Sequence, residues 1–546
     1  MKMKLFYLAA CCLSLVSNEI AACTNLLVGK KASADGSTFI SYNADSYTLY
    51  GELYHWPAQK HTPGEKLKVT DWDTGKYLGE IDQVPQTYNV VGNSNEYQVT
   101  IGETTFGGRE ELQDSTGLID YGSLIYITLQ RAKTAREAIQ IMTSLVEKYG
   151  YYSSGESFSI GDPNEIWIMD MIGKGVGRKG AVWVAVRIPD DCIAAHANQS
   201  RIQQFSLKDP KNCLYSKDVI SFAREKGYFK GKDADFSFAK TYNPIDFGGK
   251  RYCEARVWSF FNKYNKEMAK FESYAQGKTD TPMPLYIKPD RPLKLEDVEN
   301  MMRDHYEGTS LELTNDPGAG PYKSPYRWAP LEWKVDSVEY CNERPISTQQ
   351  TGFCFVSQMR SSLPNEIGGI LWFGVDDAGM TVFTPMYSCI TKIPECYRVG
   401  NGDLLNFSWT SAFWIHNWVS NMVYNRFSQM YPDLKKVQVN LESTFLRNQP
   451  EIEAKALELS KTSKEAVIAY LTEYANTSAQ NAFSEWKKLG EFLTIKYMDG
   501  IVRKEKDGKF EKNEFGAPAQ PKRVGYSENF YRQIVKSAGD KYKVIK

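Results

Sequence analysis

Short runs of alternating apolar and polar residues dominate the chain up to about Leu404, and helical spacing takes over beyond it. Thr24 to Lys30 and Ser37 to Asn43 both read as strands, joined across Ala32-Ser33-Ala34-Asp35-Gly36. Asp-Gly is a strong hairpin signal. A tight turn of about two to five residues there puts Cys23 opposite one of residues 45 to 48 and brings Asp45 close to it. Tyr97 to Ile101 predicts a strand running into a glycine-rich loop, Gly102 to Arg109. Thr134 to Tyr149 has apolar or small residues at helical spacing, opened by the capping box Thr134-x-x-Glu137. Strands follow at Ser157 to Gly161, Glu165 to Met171 and Val182 to Ile188, then at Phe353 to Arg360, Gly368 to Val375 and Met380 to Met386. Helices are predicted over Ile452 to Ala475 and Ala479 to Tyr497, and the charged stretch Arg503 to Pro521 reads as a surface excursion. Hairpin-linked strands with packed helices argue for an α+β layered fold rather than parallel βαβ units.

The first 22 residues follow another logic. Lys2 and Lys4 precede an apolar run from Leu5 to Val16, then Ser17-Asn18-Glu19 and Ile20-Ala21-Ala22 lead to Cys23. This is the pattern of a secretory signal, too short for a spanning helix. The expected organisation is a signal over 1–22, a core over 23–403 and a mostly helical region over 404–546, exported to the periplasm or the medium. Ile-Ala-Ala-Cys also fits the bacterial lipoprotein pattern, in which the cysteine carries lipid, and membrane attachment is expected only in that case. A lipid anchor is usually followed by a flexible tether, whereas here a strand begins at once.

Composition narrows the chemistry. Hydrophobic residues make up 42% and charged residues 24%, as in ordinary globular proteins, and the 66 basic and 66 acidic residues cancel. No overall field favours nucleic acid. Five scattered histidines and no Cys-x-x-Cys pair give a metal site little support, so no metal or cofactor is expected. Seven cysteines follow Cys23, an odd number, so at least one is free in any compartment.

A mature Cys23 carries a thiol and a free α-amine. The α-amine titrates near 7.7–8.0, well below lysine, and serves as a base at neutral pH. A terminal nucleophile therefore brings its own base and needs no histidine. It still requires an acid to orient the ammonium, which Asp45 supplies, and donors for the oxyanion, for which Asn95 and Asn198 are suited.

The segment Cys23-Thr24-Asn25-Leu26-Leu27-Val28-Gly29-Lys30-Lys31-Ala32-Ser33-Ala34-Asp35-Gly36 resembles the opening of the dipeptidase A, secernin-related cysteine dipeptidases. The resemblance continues in order through Asn95-Glu96, Glu103 to Arg109, His196 to Ile202, Arg251 to Trp258, Arg303 to Thr309, Leu363 to Gly374 and Trp414 to Val423. It implies an N-terminal-nucleophile hydrolase, an αββα sandwich of two antiparallel sheets, acting on small peptides, with a homo-oligomer compatible. By the same resemblance Cys23 is the nucleophile, Asp45 contacts its amine, Asn198 and Asn95 are amide donors, and either Arg251 or Arg256 is the late active-site arginine. One departure stands out. Relatives often carry arginine just ahead of the Asn-x-Asp, where this chain has Tyr42, so another cation is expected to lower the thiol pKa. In an arbitrary protein Asn95 and Asn198 are turn residues and His196 a buried hydrogen-bonding side chain. Glu103, Asp304 and Glu307 read as structural or solvated acids, any of which a substrate amine would suit. An amidase of the bile-salt or penicillin-V type, and a lipid-anchored binding protein, remain the alternatives.

Overall fold

The computed structural model describes residues 23–545; the predicted export signal over 1–22 lies outside them. The chain opens with β1 (Thr24–Val28) and β2 (Thr38–Asp45), then reaches β3 (Thr100–Gly107) and helices α1 (Tyr121–Leu129) and α2 (Ala135–Tyr149). Strands β4 (Gly155–Gly161), β5 (Ile166–Gly173), β6 (Ala181–Ile188) and β7 (Ile193–His196) follow, then α3 (Ala255–Tyr264). Next come β8 (Thr351–Met359), β9 (Ile370–Val375) and β10 (Thr384–Tyr387), and helices α4 (Ala412–Asn425), α5 (Phe427–Ser460) and α6 (Lys464–Tyr497).

Two large antiparallel sheets result. One runs Tyr286–Ile287, β7, β1, β2, β8, β9, β10; the other runs Cys213–Tyr215, β6, β5, β4, β3, Ser94–Asn95, Val90–Val91, His55–Trp56. Alternation along β5 explains the layering. Ile166, Ile168 and Ile172 join the core shared with the first sheet, while Trp167, Met169 and Met171 join a second core with Ile127 of α1 and Ile139 of α2. A strand buried on both faces reads as a continuous apolar run. The first sheet is covered in turn by α6 over β10 and α3 over β7. The architecture is thus helix, sheet, sheet, helix, an α+β fold of the N-terminal-nucleophile kind with a helical C-terminal region. Among the described residues no helix is long and apolar enough to cross a membrane.

Three expectations need correction. Val28 pairs with Phe39 and Thr24 with Asn43, so the β1–β2 connection spans residues 29–37 and is no tight hairpin. The amides of Lys31 and Ala32 bond to the Asp190 carbonyl at 2.8 and 3.0 Å, which pulls the chain away before Asp35-Gly36. The register therefore carries Cys23 beside Ala44 rather than residues 45 to 48. Gly102 to Gly107 is strand, not loop: a Cβ on Gly102 would lie 2.3 Å from Asn25 Oδ1, so this glycine serves close approach between the sheets. The break between the long helices falls at 461–463, where Ser463 Oγ accepts the Ala466 amide at 3.2 Å. The polar run Asn476-Thr477-Ser478, between the two expected helices, continues as helix and uses Asn476 Nδ2 to hold the Lys392 carbonyl at 2.9 Å.

Candidate active site

Cys23 immediately precedes β1 and is 6% exposed. Its Sγ lies 3.5 Å from Tyr42 Oη on β2 and 3.8 Å from Glu103 Oε1 on β3. Tyr42 also donates a short hydrogen bond to Glu103 Oε1. Phe353 and Phe355 hold the Tyr42 ring edge-on, each with centroids 5.7 Å away. The missing side chain of Gly102 lets Asn25 Nδ2 donate to the Glu103 carbonyl at 2.7 Å, which fixes β3 against β1 at the thiol.

Arg256, in the first turn of α3, is the one of the two arginines that reaches Cys23 directly. Its Nη1 donates to the Cys23 carbonyl at 2.6 Å and to Thr24 Oγ1 at 2.8 Å, and its Nη2 donates to Asn198 Oδ1 at 2.9 Å. The preceding turn, Gly249–Glu254, is π-helical, a local irregularity common at functional sites. Arg251 in that turn pairs with Glu343 and donates to the Gln276 carbonyl at 3.1 Å, one step removed from Cys23. Asn198 has φ +59°, a conformation asparagine tolerates better than most residues, and its Nδ2 donates to the Thr105 carbonyl at 2.7 Å.

Asp45 is buried beside these groups. It accepts from Thr351 Oγ1 at 2.7 Å and pairs with Arg344 at 3.2 Å. Burial pushes its carboxyl up to about 6, with Arg344, Thr351 and Arg256 pulling it back. The backbone of Asp45 also bonds the Cys23 thiol. Asn95 is a different matter. Its amide donates to the Leu129 and Ala132 carbonyls, both at 2.7 Å, and its Oδ1 accepts the Tyr97 and Val99 amides, both at 3.0 Å. With both donors committed to backbone it is a loop clamp, and the expectation of an oxyanion donor there is corrected.

The electrostatics also depart from expectation. Burial, then Glu103 and Asp45, push the Cys23 thiol well above its ordinary value, while Tyr42 and the Asp45 backbone pull it down. Arg256 is directed at the carbonyl of Cys23, so the cation expected in place of the relatives' arginine is not what holds the thiol. Glu103 is pushed up to about 7, chiefly by burial, and bonds to Glu156 on β4. Glu156 is pushed up further by burial and by Glu103, and accepts from Thr105 Oγ1 at 2.8 Å. His196 takes no part. It bonds Thr104 Oγ1 and Ser159 Oγ, both at 2.7 Å, between the sheets, and burial lowers its pKa to about 3. Asp304 accepts from Ser259 Oγ at 2.6 Å, and Glu307 pairs with His305 at 3.2 Å, so both are engaged elsewhere.

Tyr42, Glu156, Arg344 and Thr351 were not among the predicted site residues. Of these only Tyr42 left a trace in sequence, as the residue standing where relatives often carry arginine. Arg344 and Thr351 meet Asp45 from roughly three hundred residues away, which no local pattern reveals.

Residues 22–67 and 54–440 match peptidase family C69. A probable dipeptidase of Latilactobacillus sakei is 26% identical over 442 residues, covering 77% of this chain and 85% of the relative. One of Salmonella dublin is 27% identical over 400 residues, covering 70% and 84%. Dipeptidase A of Lactobacillus helveticus is 24% identical over 416 residues, covering 72% and 80%. The protein is a hydrolase of the cysteine-peptidase type, and the chain belongs to peptidase family C69.

Proposed function

We infer that this protein is an exported dipeptidase whose nucleophile is Cys23, exposed as the first residue by removal of residues 1–22. The dipeptidase names of its relatives support the substrate class. The observation that carries the role of Cys23 is the grip of Arg256 on its carbonyl, with Asp45 and Asn198 beside it. That grip fixes the end of the chain by its backbone and leaves thiol and nitrogen to act. The strand ladder starts at Thr24, leaving little slack for a lipid tether.

Processing supplies what the site otherwise lacks. In the unprocessed chain the nitrogen of Cys23 is an amide, and burial together with two neighbouring acids holds the thiol protonated. Cleavage converts that amide into an amine titrating near 7.7–8.0, next to the thiol. Asp45 favours its ammonium form by charge. The amine takes the thiol proton, the thiolate attacks the scissile carbonyl, and Asn198 contributes to the oxyanion site. The ammonium then protonates the leaving amine, and water, deprotonated by the amine, hydrolyses the thioester.

The test combines intact mass and turnover. Protein from its native envelope is expected to begin at an unmodified Cys23, and a form retaining one residue before Cys23 is expected to be inactive. Equal activity of the blocked and processed forms, or a lipid adduct on Cys23 of active protein, would overturn the reading.

A further inference from the structure

Glu103 and Glu156 form a buried carboxyl pair beside the thiol that the chemistry above does not use. They are both 1% exposed. Their neighbours are Cys23 and Tyr42 on one side, Thr105 on β3, and Asp73, Tyr121 and Tyr151 toward the outer layer. Among the described residues neither carboxyl has an ion-pair partner; the two bond to each other, and beyond that mutual bond Oε2 of each takes no donor. Buried carboxyls left in this condition are costly. Three donors and a positive charge would relieve both.

We propose that Glu103, backed by Glu156 and oriented by Tyr42, receives the free α-ammonium of the substrate and thereby restricts cleavage to the bond after the first residue. The proposal rests on the dipeptidase reading and names the group that measures substrate length at the amino end. Covalent geometry supports it. The α-nitrogen of a first residue lies about 2.5 Å from that residue's carbonyl carbon, and a nucleophile attacks from about 3–3.5 Å. The ammonium therefore falls within about 6 Å of Sγ, the shell that contains Glu103 Oε1 at 3.8 Å. One additional residue ahead of the cleaved bond moves the ammonium away by about 3.8 Å of chain, out of reach of this carboxyl. Asp304 and Glu307, the other acids open to this role, are occupied by Ser259 and His305. The Tyr42 hydroxyl, standing where relatives carry arginine, orients Glu103 without neutralising it.

The experiment compares a free dipeptide with its N-acetyl form in wild type and in Glu103→Gln. Wild type is expected to favour the free dipeptide by on the order of 100-fold in kcat/KM. Glu103→Gln should lower kcat/KM for the free dipeptide by a similar factor, mainly through KM, and bring the two substrates within about threefold. Unchanged discrimination in Glu103→Gln would overturn the proposal. So would an equal loss on both substrates with KM unaltered, which would make Glu103 a proton acceptor for the thiol. Binding to Cys23→Ala by calorimetry reads the same preference without turnover and with both carboxyls in place. Equal affinity for free and acetylated dipeptide there would overturn the proposal even if Glu103→Gln does not fold. Wild type that cleaves neither substrate would instead defeat the dipeptidase reading, leaving the binding result to judge the carboxyl pair.

Discussion

Adjacent residues of β3, Glu103 and Thr104, lead into contrasting surroundings. Thr104 meets His196, whose second nitrogen meets Ser159, so both ring nitrogens have partners and the ring stays neutral. Glu103 meets a thiol, a tyrosine and a second carboxyl, and among the described residues neither acid has a cationic partner. The first arrangement is complete in itself and fastens the sheets together. The second is complete only when something cationic arrives. The contrast teaches that burial and polarity alone do not mark a functional site; a buried acid without a counter-charge does.

The sharpest break between the two is chemical. Cys23→Ala is expected to remove turnover by a factor of about 10⁴ or more while leaving the melting temperature near that of wild type, measured on processed protein. His196→Ala should do the reverse, costing about 3 kcal/mol in denaturant unfolding because two buried hydroxyls lose their partner. Its kcat per folded molecule should stay within about threefold of wild type. A large loss of kcat in folded His196→Ala would erase the distinction between the two regions.

Glu156→Gln tests the same contrast through stability. Removing one acid of the pair should raise stability at pH 8 by about 1 kcal/mol. The sign follows from the direction of the shift. Glu103 titrates near 7 folded against 4.5 as a free side chain, so the cost of ionising it is absent below 4.5 and complete above 7. The advantage of Glu156→Gln should therefore shrink as pH falls from 8 to 5. His196 runs the other way. Its folded value near 3 against 6.5 means that its contribution is full above 6.5 and is lost as pH falls toward 3. The stability gap between wild type and His196→Ala should accordingly narrow on acidification, readable by urea titration at pH 7 and pH 4.5.

Much of the scaffold was legible from period alone. β4, β5, β6, β8 and α2 lie within a few residues of their expected places because alternation or helical spacing is sustained and ends on turn or cap residues. β3 was hidden because glycine signals loops and close approach alike, and only the position of Asn25 distinguishes them. At the site, the resemblance pointed to Cys23, Asp45, Asn198 and either Arg251 or Arg256, and of these Cys23, Asp45, Asn198 and Arg256 gather in space. It also pointed to Asn95, an amide whose role depends on partners that sequence does not display. The carboxyl pair was invisible as a pair. Glu103 and Glu156 are brought together by the β3–β4 register, which sets Thr105 opposite Glu156.

Gly102 carries a lesson for anyone mapping this protein by mutation. It has no functional group, yet its α-carbon works as a spacer gauge of zero thickness, and any side chain there must displace the amide of Asn25 that steadies the backbone of Glu103. A saturation library selected for peptide cleavage will therefore score position 102 about as harshly as the nucleophile. Activity-based maps of this enzyme will rank a residue with no chemistry among its most essential ones.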